Sequence, residues 1–119
     1  MKKIILPFLL LVLPLSSCYD KAKITIQNKV HNATLVQVSW DKHSVASSLL
    51  PGEGSTITVR EESNYHFPKK SNVKFYMKRE GNQVYLETRY SFTLDADDNL
   101  LIVISDTTRV VNPIMRNDE

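Results

Sequence analysis

The chain has 119 residues, 15 Lys and Arg against 13 Asp and Glu, a single cysteine and three glycines. That length holds one domain and leaves no room for a second. One cysteine excludes an intramolecular disulfide, and three glycines are too few for a phosphate-cradling loop.

Residues 1–17 carry Lys2 and Lys3, then an apolar run from Ile4 to Leu15 interrupted by Pro7 and Pro14, then two small serines. This is the anatomy of a signal peptide, and the run falls short of the roughly 20 apolar residues that a membrane-spanning helix needs. Leu15, Ser16, Ser17 and Cys18 follow one another at its end. Position by position they resemble the lipobox of bacterial lipoproteins. The resemblance implies a diacylglycerol thioether on the Cys18 sulfur and cleavage after Ser17 by signal peptidase II. Acylation of the new amino terminus would add a further chain, and two or three chains hold a protein firmly where one does so only reversibly. It also accounts for a lone thiol in an oxidising compartment. Tyr19, not Asp, is the residue after the cysteine, and by the enterobacterial sorting rule that favours the outer membrane. Without residues 1–17 the charges balance at 13 against 13. The basic character of the whole chain is therefore no evidence for nucleic acid.

The expected organisation is a signal peptide over 1–17, a lipid anchor and tether over 18–23, a β domain over 24–111 and a flexible tail over 112–119. Within the domain, apolar residues recur at every second position, the period of a half-buried strand. Ile24 and Ile26 begin it. Val36, Val38 and Trp40 are expected on one face, with Trp40 in the core. Leu50-Pro51-Gly52-Glu53 reads as a turn, after which Ile57 and Val59 resume the alternation. Val73, Phe75 and Met77 share a face, and Glu80-Gly81 marks a hairpin. The favoured register sets Met77 opposite Val84, Phe75 opposite Leu86, Tyr76 opposite Tyr85 and Lys74 opposite Glu87, each pair being favourable. From Val84 to Leu94 the alternation runs unbroken. The return strand, 100–104, is expected to pair Leu94 with Leu100, Phe92 with Ile102 and Tyr90 with Ile104 as the third strand of a meander. Leu101 and Val103 on its other face predict a strand that is central or covered on both sides. About seven strands with regular turns point to an all-β antiparallel sandwich, immunoglobulin-like or prealbumin-like, with a small β-barrel as the alternative.

Few residue groups suggest chemistry. Asp95, Asp97 and Asn99, with Asp106 twelfth from Asp95, have the spacing that begins a calcium loop, but Leu100 stands where such a loop needs glycine. An acidic hairpin loop is the simpler reading, with weak calcium binding left open. His31, His43 and His66 lack zinc-ligand spacing. Asp41, His43 and Ser44 are triad residue types, yet a strand would turn Ser44 away from the other two. Asn32-Ala33-Thr34 spells a glycosylation acceptor and reads here as the start of a strand. No catalytic residue, metal or cofactor is expected.

The most promising surface is the outward face of the hairpin, where Lys74, Tyr76, Lys78, Tyr85, Glu87, Arg89 and Arg109 are expected together. Tyr and Arg are enriched at binding hot spots. The turn after Trp40's strand and the Thr107-Thr108-Arg109-Val110 segment resemble small lipoproteins of Gram-negative bacteria with sandwich domains. The resemblance implies a fold and no catalytic residues. The expected role is a non-enzymatic, membrane-anchored module of the cell envelope with a protein or glycan partner. The alternative is a pilus-like or envelope-assembly component that uses Ile24 to Val30 as a free strand edge. An enzyme or enzyme inhibitor is the third class.

Overall fold

The computed structural model describes residues 19–113, so Cys18, the signal segment and residues 114–119 lie outside the described residues. Ten strands follow in order: β1 (Lys21–Lys29), β2 (Thr34–Trp40), β3 (His43–Leu49), β4 (Gly54–Arg60), β5 (Lys69–Ser71), β6 (Val73–Arg79), β7 (Asn82–Thr88), β8 (Phe92–Leu94), β9 (Asn99–Ser105) and β10 (Val110–Val111). A three-stranded sheet, β4-β1-β9, faces a five-stranded sheet, β10-β7-β6-β2-β3, and a ribbon of β5 and β8 stands apart. The protein is an all-β sandwich, and its sheets are open, which removes the barrel alternative.

The alternation in β1 explains its place. Ala22, Ile24, Ile26 and Asn28 are buried while Lys21, Lys23 and Lys29 are exposed. The inner row meets Leu35, Val38, Trp40, Val73 and Phe75 of the larger sheet, with Val59, Ile102 and Ile104 from its own neighbours. Each such side chain contributes about 1.5–3 kcal/mol by leaving water.

The β6–β7 hairpin has the expected register in every pair, Lys74 with Glu87 through Met77 with Val84. Its loop residues Glu80 and Gly81 both have positive φ, 51° and 83°, the backbone of the tight turn whose twist matches the flanking strands.

Four expectations fail. Val36, Val38 and Trp40 do not share a face: Leu35, Val38 and Trp40 are buried and Val36 points outward. The cause is a bulge at Gln37, whose φ is 54°: the register with β6 shifts by one residue between Val36 and Ser39, whereas that with β3 holds through Val38, so one extra residue resets the alternation. The run from Val84 to Leu94 is not one strand. The buried Thr88 hydroxyl takes the Val73 amide at 3.0 Å and donates to the Tyr90 carbonyl at 2.8 Å, and Asn72 caps the Thr88 carbonyl at 2.6 Å, which ends the ladder. Tyr90 is accordingly 63% exposed. No meander forms, because β8 pairs with β5, and β9 crosses to the other sheet to lie parallel to β1.

Third, β9 is neither central nor covered. It is an edge strand, and Leu101 and Val103 are 56% and 41% exposed. Finally, residues 21–23, expected as tether, belong to β1, and β1 itself is no free edge, since β4 and β9 flank it.

The strand directions define two ends. β1 starts at the proximal end, where the 41–42 turn, the 61–68 loop, the β5–β8 ribbon and the 95–98 turn also gather. At the distal end lie the 30–33, 50–53 and 80–81 connections.

Candidate functional site

The outer face of the five-stranded sheet is a lattice of cross-strand rows. Tyr85, Tyr76, Val36 and Ser48 stand in register on four successive strands, β7, β6, β2 and β3. Glu87, Lys74, Ser39 and Ser44 form the row on one side of it, and Gln83, Lys78 and Thr34 the row on the other. Alternation places these side chains opposite Phe75 and Thr88, which are buried.

At the centre the Tyr76 and Tyr85 rings lie 5.2 Å apart, inclined at 56°, a spacing at which aromatic pairs attract. The Tyr85 hydroxyl donates to Glu87 at 3.1 Å. Partial burial first, and the Glu87 carboxylate second, push the Tyr85 phenol above its ordinary value, so it stays a neutral donor. Arg89 and Arg109 are joined through backbone, the Arg89 amide donating to the Arg109 carbonyl at 2.8 Å. Both residues, like Lys78, are exposed. Five of the seven residues expected on one face, Lys74, Tyr76, Lys78, Tyr85 and Glu87, are thus carried by adjacent strands with matching parity, while Arg89 and Arg109 lie just beyond the ends of β7 and β10. The hairpin register was legible from pairing preferences alone.

The bulge adds Gln37 to this face, exposed and left-handed beside Val36. Sequence reasoning missed it, since nothing in Leu35-Val36-Gln37-Val38 marks where a strand doubles a residue.

The triad residue types do not assemble. Asp41 accepts a 2.9 Å hydrogen bond from the Tyr65 hydroxyl. The buried His43 Nε2 has no hydrogen-bond partner and its ring lies between Trp40 and Tyr65, 6.3 Å and 5.2 Å away, while Ser44 is exposed. A proton relay needs a base bonded to both neighbours, and that contact is missing. Instead these residues close the proximal end. Tyr65 is buried beneath Lys42 and Lys69, whose ammonium groups sit 5.2 Å and 4.8 Å from its ring centre, within cation–π range. The 61–68 sequence offers no period that would have announced this cluster.

The other histidines go elsewhere. The His31 amide donates to Asp106 at 2.9 Å, and His66 lies 3.9 Å from Glu61. Asp95 and Asp98 accept from the Ala96 and Asp95 amides at 2.7 Å and 2.8 Å. Asp106 is separated from them by the whole length of β9, so the twelve-residue spacing makes a strand in place of a calcium loop. Among the described residues no group of three or more His, Cys, Asp or Glu is placed to hold a metal ion. Asn32 of the Asn32-Ala33-Thr34 triplet sits in the turn with φ of 57°, and Thr34 opens β2.

Compared with known proteins, the chain matches no family model, no curated protein and no solved structure.

Proposed function

We propose that this chain is a non-enzymatic lipoprotein of the cell envelope, anchored through lipid on Cys18, whose sandwich presents the outer face of β7, β6 and β2 to a protein or glycan partner. The observation that carries the binding role is the Tyr76–Tyr85 pair, in register with Val36 and flanked by Lys74, Lys78 and Glu87 on a solvent-facing sheet. Tyrosine pairs offer apolar surface with a polar rim, suited to a sugar ring or a partner's side chains. The lipobox resemblance carries the anchor and its outer-membrane location.

The test is photo-crosslinking in intact cells from position 76 or 85, with position 56 on the other sheet as control. A discrete adduct from the first two positions alone, lost in the Tyr76→Ala, Tyr85→Ala, Arg89→Ala triple variant, is the expected result. Equal adducts from all three positions would sink the face. The anchor is tested separately: Cys18→Ala should leave the membrane fraction or accumulate as a larger precursor.

A second reading, assembly through a strand edge, gains support from β9 in place of β1. Its edge carries no charge between Asn99 and Ser105, whereas strand edges that avoid pairing are usually guarded by charge, proline or a bulge. A Val103→Lys substitution should abolish any such assembly and leave the monomer folded.

A further inference from the structure

We infer that the fold leaves Cys18 no tether, and that the domain rests directly on the bilayer through its proximal end, with Lys21, Lys23 and Arg60 set against the phosphates of the phospholipid headgroups. The inference rests on the lipid anchor proposed above.

The argument begins at Asp20. Its amide donates to the Glu61 carboxylate at 3.1 Å, and its carbonyl accepts from the Glu61 amide at 2.9 Å. The other oxygen of that carboxylate accepts from the Phe67 amide at 3.0 Å. The chain is therefore fastened on both sides of Asp20 before β1 begins at Lys21. Only Tyr19 separates this clamp from Cys18. A fully extended chain gains at most about 3.6 Å per residue, so two steps reach about 7 Å. The headgroup layer on one side of a bilayer is itself roughly 5–8 Å thick. A cysteine whose acyl chains enter the hydrocarbon core cannot hold this domain clear of the headgroups.

What surrounds the exit point fits that contact. Lys21 is paired with Arg60 across the β1–β4 ladder, and Lys23 stands opposite Thr58 and Asn99. All three cations are exposed, on the face opposite buried Ala22 and Ile24. They line a shallow basin of about 420 Å³ whose far rim is Asp97 and Asp98. Among the described residues none of the three cationic groups has an ion-pair or hydrogen-bond partner. Of the carboxylates nearby, Asp98 is turned onto the Asp95 amide, Asp95 onto Ala96, and Glu61 onto Asp20 and Phe67, while Asp20 and Asp97 are exposed. Three cations presented outward, with Asp95, Asp98 and Glu61 held by backbone amides, suit a surface of phosphates. The acidic rim suits a headgroup that carries its own ammonium.

The exposed aromatics point the same way. Tyr19 and Tyr90 are 57% and 63% exposed, the highest values among the large hydrophobic side chains of the described residues. Tyr19 precedes the clamp, and Tyr90 follows β7 where Thr88 meets Val73, also at the proximal end. Tyrosine concentrates at the level of the headgroups because its ring is apolar and its hydroxyl polar.

Cys18 is the only cysteine, so once it is acylated a cysteine placed in the domain is the sole free thiol. Thr58→Cys lies at the proximal end and Leu50→Cys at the distal end. Each full-length variant is expressed, its acylation confirmed by the mass of the mature protein, labelled with a fluorophore and reconstituted into phosphatidylethanolamine vesicles holding a headgroup-attached quencher. Quenching should be severalfold stronger at position 58 than at 50. A long Gly-Ser insertion after Tyr19 should preserve that contrast, and adding Lys21→Glu, Lys23→Glu and Arg60→Glu to the insertion should erase it. Equal quenching at both positions in acylated protein overturns the inference and leaves the anchor standing. A mature mass without acyl chains overturns the anchor, and the inference with it.

Discussion

The two ends of the sandwich are closed by different physics. At the distal end two short connections, 30–33 and 50–53, converge on one buried amide. Asn28 donates to the carbonyls of Ala33 and Leu49, both at 2.8 Å, and accepts from the Val30 amide at 2.9 Å. The Asn28 backbone holds the 50–53 turn as well, its amide donating to the Glu53 carbonyl and its carbonyl accepting from Gly52. At the proximal end the 61–68 connection is too long for one side chain to satisfy, and it builds a small core of its own from Trp40, His43, Tyr65 and Phe67. The Trp40 indole N–H reaches out of that core to the carbonyls of Ser71 and Phe92, at 3.1 Å and 3.3 Å, and so holds the β5–β8 ribbon to the sandwich. Short turns can share a single polar hub, whereas a long loop needs packing.

The comparison breaks most visibly at Trp40. Trp40→Ala removes the largest fully buried side chain and should cost about 3–5 kcal/mol. It also strips two carbonyls of their donor. Thermal unfolding should show the loss, and amide exchange in 69–71 and 92–94 should accelerate more than in the distal turns. A uniform rise across both ends would mean that the ribbon is not held by the indole. Asn28→Ala should rank next. It orphans two carbonyls and an amide in a buried site, at roughly 1–3 kcal/mol for a group that water does not reach. Here the fast exchange belongs at the distal end, beginning with Val30.

How far the sequence foretold this molecule follows the same division between local and distant control. The β6–β7 register could be read because its determinants, charge pairing and a two-residue turn, lie within one hairpin. The outward face could be read for the same reason. The partner of β9 could not, because alternation in Leu100 to Ile104 says only that one face is buried, and β1 satisfies Ile102 and Ile104 as well as the expected meander would. The end of β7 turned on one hydroxyl. Thr88 occupies an alternating position like any other, and only its bonds to Val73 and Tyr90 reveal a terminator. The bulge at Gln37 and the Tyr65 cluster left no periodic trace, since both arise from contacts far apart in the chain.

Smaller effects sharpen the account of the proximal end. Tyr65→Phe removes a hydroxyl bonded to Asp41, worth about 1 kcal/mol. Burial, and then the Asp41 carboxylate, hold the Tyr65 phenol well above its ordinary value of 10.0. A folded value above the unfolded one means that this stabilisation is complete below pH 10 and is lost as pH rises toward the folded value. The difference in melting temperature between parent and Tyr65→Phe should be steady near neutrality and narrow above pH 10. A difference that stays constant through that range would place the hydroxyl in water.

The smallest change is Glu61→Gln, and its sign is opposite. The Phe67 amide first, then the Asp20 amide, and weakly His66, hold the Glu61 carboxyl below its ordinary value of 4.5. A depressed folded value gives stabilisation that is fully present above pH 4.5 and disappears as pH falls through the folded value. Glutamine keeps the shape and one acceptor oxygen but never carries the charge. The variant should therefore melt slightly below the parent at neutral pH, and the two curves should meet in acid. If the gap persists there, the carboxylate acts through geometry alone. The same carboxylate clamps Asp20, so in acid the parent should expose the Asp20 amide to exchange as readily as the variant does. That is the point at which the stability of the loop and the reach of the anchor become one measurement.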